Sequence, residues 1–127
     1  MDYSKLSDFE INKRVSICIH PDIKNWNCYD VSGRACFVIN DGTPKRVQYG
    51  FSFTSDPADA WPIITANKIS IYAMSKADKR GGWGAEAFHP NDAYSFNDNP
   101  LRAAMIVFLM MQESANVPAN STGSDLR

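Results

Sequence analysis

The feature that most constrains this sequence is an unbroken apolar run at residues 103–111. Apolar residues at every angular position predict a helix that is buried on nearly all sides. The run is about half of the roughly 20 residues that cross a bilayer, so it predicts a core helix and not a membrane span. Asn99 can cap the first amides and Pro100 suits the first helical position, which together predict a central helix over residues 100–112.

Two charged residues flank this run with the wrong sign for the helix dipole, Arg102 in the first turn and Glu113 in the last. One interpretation is that Arg102 pairs with Asp98 or with a carboxylate from another element, while Glu113 is simply solvated. The alternative interpretation makes Arg102 a contact for an anion or a partner at the mouth of the helix.

Two further helices are indicated. Ser7 and Glu10 form a capping-box pattern, so a helix is expected to begin at Ser7, to carry Asn12 on its wet face and to end before Pro21. In the middle of the chain, Pro62 favours a loose turn from Asp56, followed by regular helix over residues 59–66.

Four strands are predicted where the apolar pattern changes to a period of two. They cover residues 26–31, 34–39, 47–53 and 68–73, and the third should bury one face made of Val47, Tyr49, Phe51 and Phe53. The predicted fold is α+β, with three helices packed on a small, mostly antiparallel four-stranded sheet and a buried C-terminal helix. Residues 1–117 are expected to form one globular domain and residues 118–127 a disordered tail.

Composition narrows the function. Thirteen basic and fourteen acidic residues give a net charge of -1, which argues against the general electrostatic attraction typical of nucleic-acid binders. The N-terminus lacks a secretory signal, so a cytoplasmic protein without membrane association is expected. Cys18, His20, Cys28 and Cys36 offer zinc-ligand types, but the short ligand steps of structural zinc sites are missing. Neither a metal nor a cofactor is expected.

No catalytic motif is present. His20 and His89 each precede a proline and are interpreted as loop residues, and Gly81-Gly82-Trp83-Gly84 lacks the following Lys-Ser or Lys-Thr of a phosphate-binding loop. The sequence therefore favours a protein without catalytic activity over an enzyme, and no catalytic residue is assigned.

Residues 75–98 are predicted to be a long irregular loop, the kind of segment that often carries function. Lys76, Lys79 and Arg80 run directly into Trp83, and cations beside an aromatic residue are a common way to hold single-stranded nucleic acid. This places the binding hypothesis on Lys76, Lys79, Arg80 and Trp83, with Trp83 partly exposed, and Arg102 is added as a tentative contact. The alternative is that Trp83 folds into the core and the cations are solvated.

Three blocks carry a family resemblance: MDYSKLSDFEIN at residues 1–12, DPADAWPII followed by NKIS at residues 56–70, and NPLRAAMIVFLMMQE at residues 99–113. Together they resemble the NinX-like proteins of lambdoid phages and prophages. The resemblance implies a phage-encoded protein in a bacterial cytoplasm, a domain of unknown function and no catalytic residues to carry over. Gene neighbours in such phages include recombination proteins, which suggests a DNA-related role by association only.

Two classes of function follow. A non-catalytic interaction module for a host or phage protein predicts an exposed apolar or aromatic patch without a basic stripe. An accessory factor in DNA processing or recombination that contacts single-stranded nucleic acid predicts that Lys45, Arg46, Lys76, Lys79 and Arg80 converge on one face. The near-neutral charge favours the interaction module. The oligomeric state is not predicted.

Overall fold

The order of elements alternates helices with two sets of strands. The computed structural model describes residues 1–115, so the predicted tail at 118–127 lies outside the described residues. Short 3₁₀ helices, Tyr3–Lys5 and Pro21–Ile23, flank the first α-helix. The elements are α1 (Asp8–Ile19), β1 (Asn27–Val31), β2 (Arg34–Ile39), β3 (Val47–Phe51), α2 (Pro57–Ala66), β4 (Ser70–Ala73), β5 (Trp83–Ala87), β6 (Ala93–Asn97) and α3 (Pro100–Ala115).

The strands form two separate antiparallel sheets, which we call sheet A (β1-β2-β3) and sheet B (β4-β5-β6). The predicted α+β class is confirmed, but the single four-stranded sheet is wrong. Residues 75–98, predicted as an irregular loop, contain β5 and β6. Because β5 pairs with β4, the fourth predicted strand belongs to a second sheet and does not extend the first.

Helix α3 is the central helix that the apolar run predicts. Its residues from Ala103 to Leu109 are all buried, with Ile106 and Phe108 each 4% exposed. The Asn99 side chain accepts hydrogen bonds from the amides of Leu101 and Arg102 at 2.9 and 3.2 Å, so the predicted cap is present. The helix contacts α1, α2 and all three strands of sheet B. Among residues 1–115, no helix is long and apolar enough to cross a membrane.

The starts of α1 and α2 show how capping fixes helix boundaries. Ser7 caps α1 as predicted, with its Oγ 3.1 Å from the amide of Glu10. Helix α2 begins at Pro57, earlier than predicted, because Asp56 caps it through the amide of Ala58 at 3.0 Å. The alternative cap, Asp59, is engaged elsewhere, since its carboxylate accepts from the amide of Ser52 at 3.0 Å. Pro62 consequently lies inside the helix.

Asn12 of α1 is buried, so its predicted place on a wet face is wrong. Its side-chain amide donates to the carbonyl of Gly33 at 2.9 Å and to Thr54 Oγ1 at 3.3 Å. Its side-chain oxygen accepts from the amides of Phe53 and Thr54 at 2.8 and 3.1 Å. Both donors and both lone pairs of the amide are therefore used, which removes the cost of burying it. These bonds tie α1 to sheet A.

Strand β3 shows that an alternating pattern does not guarantee burial. Phe53 is 2% exposed, but Tyr49 and Val47 are 48% and 38% exposed, so the predicted buried face of this strand is only partly correct. Tyr49 lies on β3, at the edge of sheet A. Its pairing partner Phe37 lies on the central strand and is fully buried.

Candidate binding surface

The inward face of sheet B is lined by small side chains. Register places Ile71, Ala85 and Ser95 in one row and Ala87 beside Ala93 in the next. Ala85, Ala87 and Ala93 are 0%, 1% and 5% exposed and belong to the same core cluster as the large residues of α3. Because the sheet contributes small residues and the helix large ones, α3 can pack close to the strands.

The outward face of sheet B carries the large side chains. One row contains Tyr72, Gly84 and Phe96, and the next contains Ser70, Glu86 and Tyr94. Tyr72 and Tyr94 are 37% and 56% exposed, and Phe96 is half-buried. The rings of Tyr94 and Phe96 lie 5.7 Å apart between centroids. We call Tyr72, Tyr94 and Phe96 the aromatic face.

Two glycines shape this part of sheet B. A Cβ at Gly84 would overlap the ring of Tyr72, so glycine allows that ring to lie over the central strand. A Cβ at Gly81 would overlap the backbone of Asn97 and Asp98, and its φ of +120° also favours glycine. The glycine-rich stretch is therefore required for close packing of the chain, which accounts for it without a phosphate ligand.

Charged pairs border the aromatic face. The guanidinium carbon of Arg80 lies 4.1 Å from the ring centroid of Phe96, and its Nη2 is 2.7 Å from the carboxylate of Asp78. The side-chain hydrogen bond from Arg80 lowers the pKa of Asp78 to about 2. In the next row, a hydrogen bond shared with Asp92 raises the pKa of Glu86. The aromatic centre is thus rimmed by both signs of charge.

The structure separates the residues that the sequence grouped as a binding site. Lys76, Lys79 and Arg80 lie on the connection between β4 and β5, and the guanidinium of Arg80 lies against the aromatic face. Trp83 begins β5 and shares a row with Ala73 and Asn97, which is the inward side of the sheet. Trp83 lies at the end of this face and is 37% exposed, so its expected partial exposure is confirmed.

Arg102 lies away from the aromatic face and holds the N-terminal segment onto α3. Its Nη1 donates to Asp8 at 2.7 Å, and its Nη2 donates to the carbonyls of Ser4 and Leu6 at 3.2 and 2.6 Å. The predicted pairing with a carboxylate from another element is confirmed, and Asp8 is that carboxylate. These contacts explain the cation in the first helical turn without a ligand.

Glu113, at the other end of the helix, is not simply solvated. It accepts a hydrogen bond from the hydroxyl of Tyr3, which is 9% exposed. Burial, together with this bond, raises the pKa of Tyr3 to about 12. Both helix ends therefore contact the first few residues of the chain.

The five basic residues that would form a nucleic-acid stripe are divided between the two sheets. Lys45 and Arg46 lie between β2 and β3 of sheet A, and the other three lie between β4 and β5 of sheet B. Arg46 pairs with Asp41 at 2.9 Å, as Arg80 does with Asp78 at 2.7 Å. Both arginines of the set are thus partly neutralised by nearby carboxylates.

The three cysteines differ in exposure. Cys18 is exposed, Cys28 is half-buried and Cys36 is buried. In the part of the chain that the structure describes, no group of three or more His, Cys, Asp or Glu residues is placed to hold a metal ion.

Comparisons with known proteins give the fold and the family of this chain. The structure is similar to a crystal structure of a phage protein from Bacillus cereus, with a TM-score of 0.54 over 85% of this chain and 89% of that chain. The sequences are 16% identical, so the likeness shows a shared fold alone. The family model described as Bacteriophage P22, NinX matches residues 2–112, and the chain belongs to this family of phage proteins. No curated protein matches the chain.

Proposed function

We propose that this phage protein is a non-catalytic interaction module that works in the bacterial cytoplasm and binds a host or phage protein through the aromatic face. The observation that carries the proposal is the arrangement of sheet B, which buries alanines and presents Tyr72, Tyr94 and Phe96 outward. Tyrosine is enriched among the residues that dominate binding energy at protein interfaces, since it combines a large apolar body with a polar end.

The surroundings of the aromatic face support a protein partner. An apolar centre with a polar rim is the usual anatomy of a protein interface. Here the rim consists of the Arg80–Asp78 pair on one side and Glu86 with Asp92 on the other. A rim of mixed charge suits a protein surface better than a uniformly negative phosphate backbone, which requires a basic stripe.

Affinity capture from phage-infected cells, with and without nuclease, tests the proposal. Tyr94 and Tyr29 form a matched pair, because both lie on strands and are 56% and 50% exposed, on sheet B and sheet A respectively. We expect the wild-type protein and Tyr29→Ala to retain a protein partner after nuclease treatment, and Tyr94→Ala to lose it. Loss of the partner on nuclease treatment, or equal capture by both variants, would contradict the proposal.

A second candidate function is contact with single-stranded nucleic acid during phage DNA processing or recombination. It is favoured by Arg80 over the ring of Phe96, because bases stack on exposed aromatic rings that have basic neighbours. In a protein with Trp26→Phe and Trp61→Phe, an oligonucleotide should then quench Trp83 fluorescence. Affinity should fall steeply with salt, and fall further in Lys79→Ala with Arg80→Ala. Unchanged fluorescence at low salt, together with unchanged anisotropy of a labelled oligonucleotide, would exclude this candidate.

A further inference from the structure

A second surface feature lies on sheet A, at the C-terminal end of α1. It is a cavity of about 330 Å³ lined by His20, Asp22, Ile23, Tyr49 and Phe51. The helix end supplies His20, the following 3₁₀ helix supplies Asp22 and Ile23, and the edge strand β3 supplies the two aromatic rings. The volume is at the lower end of the range for ligand sites, which suits the end of a side chain.

The aromatic wall of this cavity is held in place by neighbouring rings. Tyr49 stacks on Trp26 with centroids 5.6 Å apart, and Phe51 stacks on His20 at 5.3 Å. Behind them, Phe51 stacks on the buried Phe53 at 5.6 Å. The wall is thus anchored in the core, and a ligand would meet rings that are already in position.

Three independent features make the cavity favourable for a positive charge. The rings of Tyr49 and Phe51 line the cavity, and the Tyr49 ring, which is stacked on Trp26 and 48% exposed, is accessible to a cation. Asp22, whose side chain carries a carboxylate, also lines the cavity. The cavity also adjoins the negative end of α1, whose last four residues are Ser, Ile, Cys and Ile, and Pro21 has no N–H to donate to the carbonyl of Ile17.

We propose that this cavity binds the side chain of a lysine or arginine presented by a protein partner. An alkylammonium or guanidinium group would lie against the ring of Tyr49 and pair with Asp22. The inference goes beyond the proposed function, because the cavity is on sheet A and the aromatic face is on sheet B.

Titration with small probes tests the site directly. The probes are Nα-acetyl-lysine-methylamide and Nα-acetyl-arginine-methylamide, with Nα-acetyl-norleucine-methylamide as the neutral control, all at one ionic strength. Amide resonances of Asp22, Tyr49 and Phe51 are followed by NMR. We expect at least one cationic probe to shift these resonances saturably and norleucine not to do so. Tyr49→Leu should weaken binding about 2- to 5-fold, the size of an exposed cation–π contact, while Tyr49→Phe retains it.

Asp22→Asn keeps the test decisive if Tyr49→Leu fails to fold, because Asp22 is exposed. It should also weaken binding, and Asp30→Asn, an exposed carboxylate outside the cavity, should not. Tyr94→Ala should leave probe binding unchanged, so a failure of the proposed aromatic face does not affect this result. Equal binding of norleucine, unchanged affinity in Asp22→Asn, or absence of shifts at the cavity would overturn the inference.

Discussion

Sheet A and sheet B distribute large and small side chains in opposite ways. Sheet A points Phe37, which is fully buried, toward α1 and the 3₁₀ helix after it, in a cluster with Ala35 and Ile23. Sheet B points Ala85 and Ala87 toward α3 and leaves Tyr72, Tyr94 and Phe96 outside. Sheet A therefore fills its part of the core with a large side chain of its own. The core beneath sheet B is filled by large side chains of α3.

This difference is the reason why we assign the aromatic binding surface to sheet B. Exposed apolar residues are normal on protein surfaces when they are single. Sheet A exposes Tyr29 and Val31 on β1 and Tyr49 and Val47 on β3, but Tyr29 pairs with Cys36 and Tyr49 with Phe37, so the two tyrosines lie on opposite faces of the sheet. On sheet B, the exposed Tyr72 and Tyr94 flank the central strand from both sides, with Phe96 beside Tyr94. We infer that the packing of sheet B frees its aromatic residues for a partner.

The largest expected effect comes from the interior of sheet A. Phe37→Ala removes a fully buried ring and should lower the free energy of unfolding by about 3–5 kcal/mol, because the cavity that remains cannot be filled. Chemical denaturation measures this loss. A loss below about 1 kcal/mol would mean that sheet A does not depend on its large inward residues, and would contradict the proposed difference between the two sheets.

A substitution of opposite kind tests the interior of sheet B. Ala85→Leu adds bulk to a fully buried position against α3 and should destabilise the protein by about 1–3 kcal/mol through overpacking. Ala73→Leu is the control, because Ala73 is exposed on the neighbouring strand. If Ala85→Leu is neutral in a thermal melt, close packing of α3 on small residues is not what shapes sheet B.

Alkaline pH should lower the free energy of unfolding through Tyr3, which contacts the C-terminal end of α3. The pKa of Tyr3 is raised from 10.0 to about 12, so its neutral form is favoured in the folded state. The stability that this provides is complete below pH 10 and is lost as the pH rises toward 12. Denaturation across this pH window should show a decline that is smaller in Tyr3→Phe. Identical pH profiles for the two proteins would mean that the Tyr3–Glu113 contact does not contribute to the pH dependence of stability.

The smallest expected effect on stability comes from the exposed tyrosines. Tyr94→Ala and Tyr29→Ala should each change the free energy of unfolding by no more than about 0.5 kcal/mol, because neither side chain is buried. Denaturation midpoints measured side by side provide the comparison. A large loss in Tyr94→Ala would assign the outward face of sheet B a structural role.

Much of the helical framework is readable from the sequence, because its signals are local. The apolar run of α3 and the caps Asn99 and Ser7 give the correct helices and starts. The start of α2 is misread because Asp59, the better cap on local grounds, bonds to Ser52. Asn12 is misread for a similar reason, since its four partners lie far along the chain.

Strands β5 and β6 of sheet B are missed, and in β6 the reason is an inverted pattern. In β6 the alternating residues Ala93 and Ser95 face the core, while Tyr94 and Phe96 face outward. Because large apolar residues are ordinarily assigned to the interior, the alternating pattern of such a strand is not interpreted correctly. Strand β5 adds Gly84 and two alanines, which have low strand propensity. The signal that was available is the alternation of small and aromatic residues in residues 93–96.

The most direct test of whether the outward face of sheet B binds the partner is hydroxyl-radical footprinting. It is carried out on the free protein and on the complex captured from infected cells. Tyr94 and Tyr29 are compared within one chain, so differences in protein amount or folding cancel. If sheet B is the binding sheet, oxidation of Tyr94 and Tyr72 should fall in the complex, while oxidation of Tyr29 stays at the level of the free protein. Protection of Tyr29 with Tyr94 still fully reactive would contradict the account.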